Sequence, residues 1–300
     1  MSNNNTLLLG AVAYDPKVIT IWDGFQAYFQ KCGLPFDYIL YSNYERLVEA
    51  QFAGHIHAAW NSPLAWVQSE RIAAATGRKA EAIAMRDTDC DLTSIILVRS
   101  NSPIHGIADL KGGRVAVGAD DSPQATLIPL SFLSRQGLDP GRDFQVLPFD
   151  VLRGKHGDHI GGERDAARAL VRGDAEAACM IDGNHLLFSQ EGLFQAGATR
   201  VLATTPKYDH CNFTVLDGAP RELIDRFRDL LFGMSYADPA VRPLLDLEGL
   251  KQWRPGRTIG YAALNEAVDR FGSVEQFVRQ VAASCVKNSE ISGSPREARC

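Results

Sequence analysis

The sequence predicts an α/β protein of two lobes, each a mixed, mostly parallel sheet flanked by helices. Three observations lead there. Short apolar runs alternate with longer stretches of helical period through most of the chain. The 300 residues exceed one average domain and suit two of about 100–150 residues each. Apolar runs pass into polar turns at Thr93–Ser100 and Val201–Pro206, which divides the chain into residues 1–98 plus 204–286 as one lobe and 99–203 as the other.

Leu7–Val12 reads as the first buried strand, and Val18–Lys31 as a helix with Ile19, Trp22, Phe25 and Phe29 on one side. Further strands are expected at Phe36–Leu40, His57–Trp60, Ile83–Met85, Thr93–Val98, Arg114–Val117, Phe144–Leu147, Ala177–Met180 and Arg200–Ala203. Helices are expected at Tyr44–Ala53, Pro63–Ala75, Pro123–Arg135, Glu163–Arg172, Asn184–Glu191, Arg221–Ser235, Ala237–Leu245, Ala262–Phe271 and Val274–Ala283. Residues 287–300 have the composition of a flexible tail.

Hydrophobic residues make up 45% of the chain and charged ones 22%, enough apolar material for a real core. The net charge of −5 and the lack of a Lys/Arg cluster exclude nucleic acid as the main partner. No apolar run approaches the roughly 20 residues of a membrane span, so no membrane insertion is expected. The N-terminus has neither a basic region nor a long apolar core of the secretory kind, which reads as a cytoplasmic location; a removed signal would make it periplasmic. The six cysteines are irregularly spaced without a CxxC pair, which favours reduced thiols. Walker, GxGxxG, GxSxG and HExxH motifs are absent.

The richest segment is Ser102–Thr126, where the strand Arg114–Val117 runs into an acidic loop and a helix start at Ser122-Pro123. A capped helix start after a strand offers free amides and a positive dipole end to an anion. Ser122, Gln124, Ala125 and Thr126 are therefore candidates for ligand contact. The loops after the first three strands supply Tyr14-Asp15, Tyr44 and Trp60-Asn61-Ser62, where aromatic rings can wall a ligand. The run Arg86–Asp91 reads as a solvated turn, with complementing an amine or a metal as its functional alternative. His156, His159, Glu163, Asp182, His185, His210 and Cys211 complete the polar set. The imidazoles and Cys211 are of the types that bind zinc or iron, although their spacing matches no dedicated metal motif.

Four stretches together carry a resemblance. Gly54–Pro63, Ser102–Gly112, Gly118–Pro140 and Asp165–Ala178 follow one another in the order and with the spacing of the type II periplasmic-binding-protein superfamily. The chain resembles its phosphate/phosphite/phosphonate branch of ABC-importer substrate-binding proteins. That resemblance implies two lobes joined by two crossovers, a small anionic or zwitterionic organic solute between them, hinge closure, no required cofactor and an ABC-importer permease as partner. Two departures stand out: Arg164-Asp165 replaces a frequent His-Asp pair, and Lys155–Glu163 forms an unusual loop. The alternative is a cytosolic enzyme on the same fold, of lyase, decarboxylase or metal-dependent type, with His159 and His185 as its catalytic candidates. A ligand-sensing partner of a signalling protein is a third class.

Overall fold

The computed structural model describes residues 5–158 and 160–292. His159 and residues 293–300 lie outside the described residues, and with them the roles expected of His159 and the end of the expected tail. In chain order the strands are β1 (Leu7–Val12), β2 (Phe36–Tyr41), β3 (Ala58–Asn61), β4 (Ala80–Arg86), β5 (Ser94–Arg99), β6 (Arg114–Val117), β7 (Gln145–Pro148), β8 (Ala177–Ile181), β9 (Thr199–Thr204), β10 (Asn212–Leu216) and β11 (Trp253–Pro255). The α-helices are α1 (Lys17–Lys31), α2 (Tyr44–Phe52), α3 (Pro63–Ala75), α4 (Ile128–Arg135), α5 (Gly161–Arg172), α6 (Asp182–Gln190), α7 (Arg221–Gly233), α8 (Arg242–Glu248), α9 (Ala262–Phe271) and α10 (Glu275–Ser292).

Two sheets result. The first has strand order β11-β4-β10-β3-β1-β2 and the second β7-β6-β8-β5-β9. Both are mixed: β10 runs antiparallel to β3 and β4, and β5 antiparallel to β8 and β9. The chain passes between the sheets at residues 87–93 and again at 205–211. Strand β5 thus belongs to the second sheet, ahead of the boundary expected at 98. The polar turn after it marks the end of a strand and not the end of a lobe. The two crossovers bond to each other, Leu92 N–H to Tyr208 O at 2.8 Å and Tyr208 N–H to Leu92 O at 2.9 Å. This pairing ties the two crossovers together as a short antiparallel bridge.

Buried side chains of α1, α7 and the first sheet form the main core of lobe 1 around Phe213, which meets Trp22, Trp60, Phe227 and Trp253 ring to ring. Helix α1 buries Val18, Ile21, Trp22, Phe25 and Phe29, while Ile19, expected on that face, is 52% exposed. Several elements differ from expectation for clear reasons. Strands β10 and β11 escape the sequence reading, because Phe213–Leu216 is too short a run to show a period and Trp253–Pro255 carries none. Helix α8 starts at Arg242, not Ala237, with Pro243 in its first turn; proline opens a helix more readily than it continues one. Pro123–Leu127 winds as a π-helical turn before α4. Pro129 has no N–H to give to Ala125 O, which instead accepts from Gly118 N at 3.4 Å. At the C-terminus, α10 carries the chain in helix to Ser292, beyond the residue where the tail was expected to begin.

Candidate functional site

The strand ends of both sheets face each other across the seam between the lobes. A cavity of about 260 Å³ lies there. Lobe 1 and the second crossover line it with Tyr14, Lys17, Trp60, Arg86, His210 and Cys211, and lobe 2 with Gln124, Asp158, Glu163 and Asn184 among others.

Arg86, at the end of β4, organises the lobe 1 wall. Its Nε and Nη2 donate to Asp89 Oδ2 and Oδ1 at 2.6 and 2.8 Å, and its Nη1 to Glu248 Oε1 at 3.2 Å. Its guanidinium stands 5.3 Å from the Trp60 ring centre. Burial raises the Asp89 carboxyl, but Arg86 and His210 outweigh it and hold Asp89 at about 2. Glu248 shares the same arginine, yet burial dominates and lifts it to about 7. The acidic run is therefore a solvated turn only in part: Thr88 and Asp91 are exposed, but Asp89 is 1% exposed.

Glu163, in the first turn of α5, governs the lobe 2 wall. Its Oε2 accepts from Asn184 Nδ2 at 2.7 Å and Ile181 N–H at 3.1 Å. Burial outweighs these bonds and raises it to about 7. Glu163 Oε1 and Gln124 Oε1 are buried without a hydrogen-bond partner while Glu163 is ionised, and the neighbouring Gln124 side chain acts to lower the carboxyl against its burial. Gln124 Nε2 donates to Gly157 O at 2.7 Å. Burial also raises Asp158, whose Oδ2 accepts from the Tyr44 hydroxyl.

The unusual loop between β7 and α5 crosses from lobe 2 onto lobe 1. Lys155 Nζ donates to Ala13 O at 2.6 Å and also to Ser42 O. Gly154 O accepts from Tyr44 N–H at 3.0 Å. His156, fully buried, sits with Nδ1 2.7 Å from Ser62 Oγ and Nε2 3.0 Å from Glu45 Oε1, stacked on the Tyr44 ring at 4.8 Å. Its φ is +51° and that of Leu152 +52°, so the loop holds two non-glycine residues in the left-handed region. A larger interlobe chamber, about 720 Å³, lies near this loop against Asn43, Glu45, Gln68, Asp121 and Thr126.

The residues expected at the site are distributed accordingly. Tyr14, Trp60, Gln124, Glu163, His210 and Cys211 meet in the 260 Å³ cavity. Tyr44 reaches it through Asp158, and Ser62 is taken by His156. Thr126 lines the larger chamber, with its hydroxyl buried and unpartnered. The helix mouth at Ser122 is not an open anion seat in this structure. Its hydroxyl accepts from Ala125 N–H at 3.2 Å, and its carbonyl from Thr126 N–H and Leu127 N–H at 3.2 and 3.0 Å. Gly157 packs directly on it. Of the amides that a free helix start would expose, Ala125 N–H is spent on the cap and Pro123 has none to give, and Gly157 covers the mouth. Asn61 is buried and donates to Thr214 Oγ1 at 2.9 Å. Asp15 accepts from Lys17 N–H and Asp182 from Thr93 Oγ1, both on exposed surface. His185 contacts Thr199 and Phe194 in its own lobe. Of the imidazoles and thiol proposed for a metal, only His210 and Cys211 come together among the described residues, joined by Asp89. Arg86, Asp158 and Asn184 are additions from the structure; the sequence signals for them are an arginine opening an acidic run and, for Asp158, its place in the unusual Lys155–Glu163 loop.

The cavity's raised acids predict a pH dependence. Glu163 and Glu248 bind protons more tightly folded than unfolded between about 4.5 and about 7. Folding stability is then highest at the acidic end of that window, falls as pH rises through it, and is flat above about 7. Urea unfolding at pH 5 and pH 8 should differ by a few kcal/mol, since each tenfold gain in proton affinity on folding is worth roughly 1.4 kcal/mol. The double variant Glu163→Gln, Glu248→Gln should flatten the profile.

A family model described as "ABC transporter, phosphonate, periplasmic substrate-binding protein" matches residues 11–258. The chain belongs to this family. Solved structures with the same fold include PhnD1 from Prochlorococcus marinus in complex with methylphosphonate, at 16% identity and TM-score 0.68, covering 90% of this chain and 99% of that one. Another is XAC2383 from Xanthomonas citri bound to ATP, at 16% identity and TM-score 0.66, covering 92% and 98%. A third is the binding component of an ABC phosphonate transporter from Pseudomonas aeruginosa, at 13% identity and TM-score 0.60, covering 95% and 99%. As a phosphonate-type substrate-binding protein the chain is the ligand-binding partner of an importer permease, and family membership favours binding over the enzymatic alternative. The family needs no cofactor for that task. It is a periplasmic family, so the cytoplasmic location expected from the N-terminus gains no support from it. Among the described residues no helix is long and apolar enough to cross a membrane.

Proposed function

We propose that this substrate-binding protein captures a small zwitterionic phosphonate-class solute in the 260 Å³ cavity and presents it to its permease. The observation that carries the reading is the pair of buried acceptors without partners, Glu163 Oε1 and Gln124 Oε1, on the lobe 2 wall. A buried acceptor left unpaired costs about 1–3 kcal/mol, and an ammonium group donating to both relieves that cost. Lys17, Arg86 and His210 on the lobe 1 wall favour the opposite end of the guest, its anion. With Arg86 already balanced by Asp89 and Glu248, the cavity suits a guest of both signs better than a bare dianion. A solute touching both walls bonds the lobes together, which couples binding to closure about the Leu92–Tyr208 bridge.

Isothermal titration with 2-aminoethylphosphonate, methylphosphonate and ethylammonium tests this reading. The zwitterion should bind at least tenfold more tightly than either half. Its affinity should rise with pH through about 7, as Glu163 ionises, and Glu163→Gln should remove that pH dependence. Equal affinity for methylphosphonate and the zwitterion would refute the assignment of an ammonium seat.

A further inference from the structure

We propose that Asp89, His210, Cys211 and Asp158 form a binding site for a divalent transition metal, best suited to Zn²⁺, in the wall of the interlobe cavity. The site goes beyond solute capture, which needs no metal, and does not depend on it.

The geometry is that of a ligand cage. One donor atom each from Asp89, His210 and Cys211 lies within 4.8 Å of the other two. His210 Nδ1 stands 3.1 Å from Cys211 Sγ and 3.5 Å from Asp89 Oδ1. Zinc bonds of about 2.0–2.3 Å at tetrahedral angles place neighbouring donors about 3.3–3.8 Å apart, so these separations need adjustments of only a few tenths of an ångström. Asp158 Oδ1 lies 4.0 Å from the same sulfur but outside the three-donor cluster, so it reaches the fourth corner only by swinging toward His210 and Asp89 from the other lobe. The donor set, one imidazole, one thiol and two carboxylates, is of zinc type. Asp89, His210 and Cys211 are 1%, 9% and 2% exposed, so the cage lies inside the seam and not on an acidic surface.

The donors are held from behind. Asp89 is fixed by Arg86, with His210 N–H donating to Asp89 O at 2.8 Å. The His210 carbonyl accepts from Tyr261 at 2.7 Å. Tyr44 holds the second oxygen of Asp158. Such outer contacts orient metal ligands. Asp89 Oδ1 keeps a lone pair beyond the one given to Arg86, so arginine and metal can share the carboxylate. Binding converts the Cys211 thiol to a metal-bound thiolate and releases one proton to solvent, with no change of oxidation state. Because Asp158 comes from lobe 2 and the other three donors from the crossovers, a bound cation ties the lobes together.

The test is a titration of the full chain, dialysed against EDTA, with Co²⁺ and then Zn²⁺, in the absence of any solute. One equivalent of Co²⁺ should produce the visible bands of a tetrahedral site and a near-ultraviolet thiolate-to-cobalt band, and Zn²⁺ should displace it. Cys211→Ser should abolish the thiolate band, and Asp158→Asn, which leaves the crossovers intact, should weaken Zn²⁺ binding at least tenfold. Circular dichroism verifies that each variant is folded. Substoichiometric binding by the wild type, or a thiolate band that survives Cys211→Ser, would overturn the site. Solute titration of the same metal-free protein reports separately on the proposed function.

Discussion

Replacing Arg86 with leucine should lower folding stability by about 3–5 kcal/mol, the usual penalty for stranding a buried charge. Arg86 is the sole counter-charge within bidentate reach of Asp89 among the described residues, and it also donates to the side chain and carbonyl of Glu248. Without it, Asp89, held at about 2 by Arg86 and His210 against its burial, keeps only His210 beside its carboxylate in the buried cavity. Urea unfolding at pH 7 measures the loss. Adding Asp89→Leu should recover much of it, since a buried pair replaced by apolar groups is often near neutral. A single variant as stable as wild type would mean that water, not Arg86, solvates Asp89.

Gly157→Ala should lower solute affinity roughly ten- to a hundredfold, about 1.4–2.8 kcal/mol, with the fold retained. Gly157 has φ +77°, where an L side chain is strained. An added Cβ would lie 2.3 Å from Ser122 Oγ and 2.7 Å from Gln124 Nε2. The loop must therefore lift, breaking the bond from Gln124 to Gly157 O and disturbing His156 and Asp158 beside it. Gly137→Ala is the control: its φ is +87° but no atom lies within 4 Å of the added carbon. It should cost about 1 kcal/mol of stability and leave affinity unchanged. Calorimetric titration of both variants separates backbone strain from unseating of the loop.

The layered architecture was legible because its signals are local. Apolar periods and the Pro63 and Ala262 helix starts depend on neighbouring residues, and the four spaced stretches pointed to the family. The site was legible only in part. Tyr14 and Trp60 follow from the rule that loops at strand ends line the crevice, Gln124 from its place in the helix start after Ser122, and Glu163 from the polar set beside the histidines. Asp158 and Arg86 do not, because their roles come from partners far along the chain, Tyr44 for one and Glu248 for the other. Ser122 shows the converse. Its local signal predicted a helix cap correctly, with Ser122 Oγ bonded to Ala125 N–H. What covers that cap is a loop more than 30 residues on, packed there through Gly157. His185 had the right residue type and a place just after a strand, but the first turns of α6 turn its ring toward Thr199.

The most direct measurement is a crystal structure of the protein grown with 2-aminoethylphosphonate. The molecule should lie between the two cavity walls, its nitrogen within hydrogen-bond distance of Glu163 Oε1 and its phosphonate on the His210 and Arg86 side. A guest lodged instead in the 720 Å³ chamber beside Thr126, or at Ser122 with the 154–158 loop displaced, would contradict the proposed seat.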